Sequence, residues 1–206
     1  MTEPRNVRTV PGMGGKIFDF RKTGLCPPNG GRIRPLVFVH HIPVVPNATG
    51  LADFESLGGI LRAQGLAIQA ATDAEGNVAL FTRLDEFCNG HLGANQLACG
   101  AEHMHADLDE DWTEEQMRAA AWLSSRAWDS FDIKPRPAKL LPGDGFFDSA
   151  GKFHLTKPVG VKRRGHTSHE KVSAKIGSHQ RKDPGPKFDF EHLFELTKFF
   201  HEHRRF

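Results

Sequence analysis

An α/β domain, a central mixed β-sheet flanked by helices, is the fold class that three observations in this 206-residue sequence predict. Leu36-Val37-Phe38-Val39 is a continuous apolar run of strand formers, the pattern of a strand buried on both faces. Leu66 to Leu84 reads as two strands joined by a turn at Asp73-Ala74-Glu75-Gly76. Two further segments, one beginning at Thr113 and one near Asp189, carry apolar residues at helical spacing. Strands and helices alternate loosely, which favours one layered domain, and the length suits a single core.

The elements follow in chain order. Residues 1–34, rich in Gly, Pro and Arg with weak periodicity, predict an irregular lead-in; the domain proper is expected over 35–206. After the first strand, Phe54, Leu57, Ile60 and Leu61 give Asp53 to Gln64 a helical face, with Gly65 at the C-terminal cap position. Phe87 to Gln96 reads as a loop, and Leu97 to His103 as a short strand. Thr113 and Gln116 form a capping-box pair ahead of the stripe Met117, Ala120, Ala121, Ser124, Trp128 and Phe131. Prolines at 135, 137, 142 and 158 predict a long loop from Lys134 to Arg164 with at most one small hairpin. The last helix, from about Asp189, is expected to bury Phe190, Leu193, Phe194 and Thr197 and to leave the terminal HEHRRF exposed.

Composition narrows the function classes. A formal charge of +2, from 27 basic and 25 acidic residues, argues against a nucleic-acid protein. The charge is uneven, however: from Gly151 to Lys187 there are ten Lys or Arg and two acids, a stretch suited to an anionic polymer or to a solvated loop. Cys26, Cys88 and Cys99 are too few and too irregular for a disulfide scaffold or a CxxC metal site and read as reduced thiols. The N-terminal MTEPRNVRTVPGMGG lacks the apolar core of a signal peptide, and no run reaches membrane-span length, so synthesis in the cytoplasm without membrane insertion is expected.

The chemistry-bearing residues are scattered. His40 and His41 close the first strand; a strand-end histidine serves either as a metal ligand or as a core or capping group. His169 and Asp183 stand fourteen positions apart, and Asp183-Pro184-Gly185 is a turn able to hold a carboxylate in a set direction. Glu102, near the end of a short apolar strand, is a possible acid/base group or a solvated strand-end acid.

Together these segments resemble the type-2 family of zinc-dependent N-acetylmuramoyl-L-alanine amidases, which includes peptidoglycan recognition proteins, phage lysins and muropeptide amidases. The resemblance runs from about Leu36 to Leu196 through VFVHHIP, DAEGNVALFTRLDEFCNGHLGANQ, CGAE, TEEQMRAAAWL, SHEKVS and KDPGPKFDF. The spacing from SHEKVS to DPG is similar to that of actinobacteriophage endolysins. The resemblance implies a Zn²⁺ site of His40, His169 and Asp183, with Glu102 working on a water and His41 lining the site. Where the family has Lys or His two positions before its third ligand this chain has Arg181, followed by Lys182; either would steady the developing oxyanion. The chain has no tyrosine, which leaves Glu102 as the base. His91 and Asn95 are candidates for gripping muramic acid or stem peptide, with a loop closed by local hydrogen bonds as the other reading. The 15 or so residues before Gly165 look like an insertion relative to the family.

The implied activity is hydrolysis of the amide bond between N-acetylmuramic acid and L-alanine of peptidoglycan. An endolysin would act on the wall as a monomer after holin-type release from the host cytoplasm. The alternatives are a cytosolic muropeptide-recycling amidase and a non-catalytic peptidoglycan-binding module.

Overall fold

The computed structural model describes residues 8–9, 12–43, 50–179 and 181–203. In chain order the elements are β1 (Arg8–Thr9), β2 (Lys16–Asp19), β3 (Val37–His41), α1 (Leu51–Ala63), β4 (Ala70–Thr72), β5 (Val78–Leu80), β6 (Ala98–His103), α2 (Glu114–Phe131), β7 (Lys139–Leu141), β8 (Asp144–Phe147), β9 (Phe153–Lys157), β10 (Gly160–Arg163), β11 (Gly165–Ser168), α3 (His169–Lys175) and α4 (Phe190–Glu202). Two short 3-10 turns occupy Asn89–Ala94.

Seven strands form one mixed sheet in the order β1-β2-β5-β4-β6-β3-β11. β4, β6, β3 and β11 run parallel, while β4 pairs antiparallel with β5 across the Asp73 to Gly76 turn. Asp73 Oδ1 closes that turn by accepting from the backbone N–H groups of Glu75 and Asn77. All five residues of β3 are buried, as expected for a parallel strand covered on both faces.

Alternation along the strands sorts the core into layers. Phe38, Cys99 and Ala101 face α2 and α4 and pack with Met117, Ala120, Leu193 and Phe200. On the other face, α1 covers one half of the sheet through Phe54, Leu57 and Leu61. Val37, Val39 and Ala98 meet Ala94, Val172 and Ile176 over the other half.

The helix ends follow from local chemistry. Leu66 N–H bonds the Leu61 carbonyl and Gly65 N–H the Arg62 carbonyl, a Schellman closure of α1. Thr113 caps α2 by accepting from Gln116 N–H at 3.0 Å. The Gln116 side chain does not return the bond; it reaches His105 and the Met104 carbonyl instead. Asp189 caps α4 through the N–H groups of Glu191 and His192. α4 buries Leu193, Leu196, Thr197 and Phe200, whereas Phe190 and Phe194 are half-buried.

Two expectations change. The lead-in is not merely irregular, because β2 pairs in parallel with β5 and carries Ile17 and Phe18 into the two cores. The expected loop from Lys134 to Arg164 is a two-stage antiparallel ribbon in which β7 pairs with β10 and β8 with β9. Its prolines fall outside the four strands, so they interrupt no ladder. Leu140 and Val159 root the ribbon in the core, while Leu141, Phe146, Phe147 and Leu155 remain exposed. Among the described residues no helix is long and apolar enough to cross a membrane.

The amphipathic face of α1 is directly testable. Leu57→Ala, at 1% exposure, should cost about 2–5 kcal/mol in urea denaturation, and Ile60→Ala, at 41%, well under about 1 kcal/mol.

Candidate metal centre

β6, β3 and β11 end at the same edge of the sheet, where parallel α/β sheets place their ligand sites. In register, His41 lies opposite Glu102 and Ser168 opposite His40. His169 is therefore the next residue beyond β11, and Ser168 caps α3 by accepting from Lys171 N–H. Asp183 returns from the turn after α3: its carbonyl accepts Glu170 N–H, and its Oδ2 accepts Ile42 N–H at 3.4 Å. Gly185 lets the turn close, since it has φ +85° and a Cβ there would stand 2.4 Å from the Leu108 carbonyl oxygen.

The result is a buried group of His41, His169 and Asp183 whose ligand atoms lie within 4.8 Å of one another. Asp183 Oδ2 is 3.2 Å from His169 Nδ1 and 3.6 Å from His41 Nδ1. Ligands held about 2.0–2.1 Å from a tetrahedral metal stand about 3.3 Å apart, so the donor set and its spacing fit a divalent ion. This group can hold a metal.

The structure brings His169 and Asp183 together, but it places His41 beside them rather than His40. Adjacent residues of a strand point to opposite faces, and His40 points towards α2 and α4. There its ring meets Phe38, Phe188 and Phe190, Nδ1 bonds His103 Nε2 at 3.0 Å, and Nε2 bonds His166 Nδ1 at 3.1 Å. Both of its nitrogens are committed to that buried cluster. Burial pushes the His103 and His166 pKa values down to about 3 and His40 well below its ordinary value, so the three rings are neutral at pH 7.

Glu102 is 8% exposed, and among the described residues its Oε2 has no hydrogen-bond partner. Burial raises its pKa to about 8, the Asp183 charge adds to that rise, and Arg181 opposes it. Arg181 is thus within electrostatic reach of Glu102 although its side chain is exposed. Lys182 is also exposed, and its carbonyl accepts Gly185 N–H.

His91 does not line the site as a substrate contact, because it is completely buried. Its ring bonds His41 Nε2 at 2.9 Å and Gln69 Oε1 at 2.8 Å. Half-buried Asn95 accepts the His91 backbone N–H at 2.8 Å, so it too serves the loop. Sequence reasoning missed Gln69; its one signal was an amide within the apolar stretch Leu66-Ala67-Ile68-Gln69-Ala70-Ala71. A groove of about 1080 Å³ between β2, β5 and α2 is lined by Arg21, Arg83 and Trp122 and includes none of the metal group.

No protein-family model and no curated protein sequence matches the chain. Solved structures do match its fold. The N-acetylmuramoyl-L-alanine amidase LysC of Clostridium intestinale aligns over 89% of this chain and 97% of its own, with a TM-score of 0.59 and 18% identity. The Ph2119 endolysin of a Thermus scotoductus bacteriophage covers 88% and 98%, at 0.54 and 11%. The complex of tracheal cytotoxin with the peptidoglycan recognition proteins LCa and LCx gives 91% and 95%, at 0.56 and 12%. The domain therefore has the mixed α/β fold of type-2 amidases and peptidoglycan recognition proteins.

The raised pKa of Glu102 has a measurable consequence. Its folded value of about 8 lies above the ordinary value of 4.5, so ionisation weakens the fold as pH rises. The penalty is absent below about 4.5, grows between the two values and is complete above about 8. In chelator-treated protein, Glu102→Gln should add up to about 3 kcal/mol of stability at pH 7 and almost none near pH 4.5. Urea midpoints at the two pH values check this; a variant less stable than wild type at pH 7 contradicts it.

Proposed function

We propose that this protein is an endolysin-type, zinc-dependent N-acetylmuramoyl-L-alanine amidase that cuts between N-acetylmuramic acid and the L-alanine of the peptidoglycan stem peptide. The observation that carries the reading is the convergence of His41, His169 and Asp183 at one sheet edge, with Glu102 in register beside His41, on a fold shared with amidases.

His41, His169 and Asp183 would hold the zinc ion, and Glu102 would remain free for proton transfer. When bound, the ion supplies a Lewis acid for the scissile carbonyl and lowers the pKa of a water to about 7. Glu102 takes the proton of the attacking water and returns it to the departing alanine nitrogen. Its burial raises its proton affinity, which suits a group that must both accept and donate near neutral pH. Arg181, within reach of Glu102, contributes positive charge towards the developing oxyanion.

The ribbon favours a wall-acting enzyme over a recycler of small muropeptides. Lys139, Lys152, Lys157, Lys162 and Arg163 are exposed on it, and none forms an ion pair among the described residues. Such a surface suits a polyanionic wall. In this reading the enzyme is made in the host cytoplasm, meets the wall after holin-type release and works as a monomer. A purely binding role is less favoured, because the metal-ligand group and the acid/base carboxylate are all present.

His41→Ala should lose stoichiometric zinc and reduce hydrolysis of purified walls by at least about 10²-fold, whereas His40→Gln, if folded, should retain zinc. Digests should release new N-terminal alanine; new reducing sugars instead would mean a glycosidase. Binding to walls by the Glu102→Gln variant, measured by sedimentation, should weaken with added salt. Neutralising Lys152, Lys157, Lys162 and Arg163 together should flatten that salt dependence.

A further inference from the structure

We propose that Gln69 and His91 are positioning residues that lock His41 in its Nε2–H tautomer and so reserve Nδ1 as a lone pair for the metal. This inference rests on the metal reading above and is argued from hydrogen-bond direction and burial.

The direction is set at the far end of the chain. Gln69 Oε1 accepts the backbone N–H of Gly100 at 3.0 Å, and Gln69 Nε2 donates to the Glu86 carbonyl at 2.9 Å. Reversing the amide would set donor against donor at Gly100 and acceptor against acceptor at Glu86, so its orientation is forced. His91 Nε2, 2.8 Å from the same Oε1, must therefore donate. A neutral imidazole that donates from Nε2 accepts at Nδ1. His91 is completely buried, a setting that favours the uncharged ring. His91 Nδ1 lies 2.9 Å from His41 Nε2, so His41 Nε2 carries the proton.

That leaves His41 Nδ1 unprotonated and facing Asp183 Oδ2 at 3.6 Å. Two acceptors confront each other with no proton between them, an arrangement that a cation relieves. Outer partners that fix a ligand's tautomer in this way also raise its basicity. Packing protects the chain as well. A Cβ on Gly100 would lie 2.7 Å from His91 Cε1 and 2.3 Å from the Val39 carbonyl oxygen, so only glycine leaves room for the His91 ring. Asn95 holds the His91 backbone from the other side.

Long-range ¹H–¹⁵N spectra of metal-free protein labelled with ¹⁵N-histidine at pH 7.5 test the assignment without a mutation. His41 and His91 should both show the Nε2–H pattern; a His41 Nδ1–H pattern overturns the proposal. His91→Phe and Gln69→Leu should lower zinc affinity, measured by competition with a chromogenic chelator, by about 10–100-fold. His91→Asn, which can still offer an acceptor to His41, should recover most of it. Wild-type affinity in folded His91→Phe also overturns the proposal. Should wild type show the expected tautomer yet take up no zinc, the metal reading falls and with it the purpose assigned to the chain, while the hydrogen-bond direction stands.

Discussion

The parallel alignment of β6, β3 and β11 is the constraint on which the site depends. Because these strands run together and end at one edge, Glu102, His41 and His169 arrive side by side although 61 and 67 residues separate them along the chain (102 − 41 and 169 − 102). A slip of β3 by a single residue would exchange its two faces. His40 would then enter the metal group, and His41 would be forced among Phe188, Phe190, His103 and His166. Apolar packing opposes such a slip, since Phe38 fits the α2 and α4 side while Val37 and Val39 fit the other.

The adjacent histidines consequently answer different demands. His40 sits in a buried chain running from Thr72 through His103 to His166, in which both of its ring nitrogens have a partner. Its role is to satisfy polar atoms within an aromatic layer, and rings neutral at pH 7 do this at little electrostatic cost. His41 has one nitrogen tied to His91 and the other directed at Asp183. Chemistry that looks identical in the sequence is thus divided by the pleat into one structural and one ligand-competent imidazole.

Much of the fold was legible because its signals are local. The Asp73 turn, the capping threonine before α2, Gly65 after α1 and Asp189 before α4 all act within a few residues of themselves. What escaped was non-local. β2 and the ribbon strands have short or mixed patterns that become strands through their partners, and α3 is a seven-residue helix started by Ser168. The choice between His40 and His41 escaped for a related reason. A strand buried on both faces carries no alternation from which its phase can be read, and only the pairing with β6 reveals that His41 shares a face with Glu102. His91 and Asn95 stood out as polar loop residues, yet His91 is buried and half-buried Asn95 accepts its backbone N–H, so both support the loop behind the site.

The site is in electrostatic conflict with the fold that holds it. Glu102 is buried with no partner for Oε2 among the described residues, and the nearby Asp183 charge opposes its ionisation; Arg181 offsets only part of this. The lone pair of His41 faces the same Asp183 carboxylate. Packed strands and a tight turn hold these groups close when mutual repulsion and desolvation would separate them. One divalent cation among His41, His169 and Asp183 would relieve both the carboxylate repulsion and the opposed acceptors. Binding free energy and folding free energy would then be linked, so that an ion held there would also stabilise the strand ends and turn that bring the three groups together.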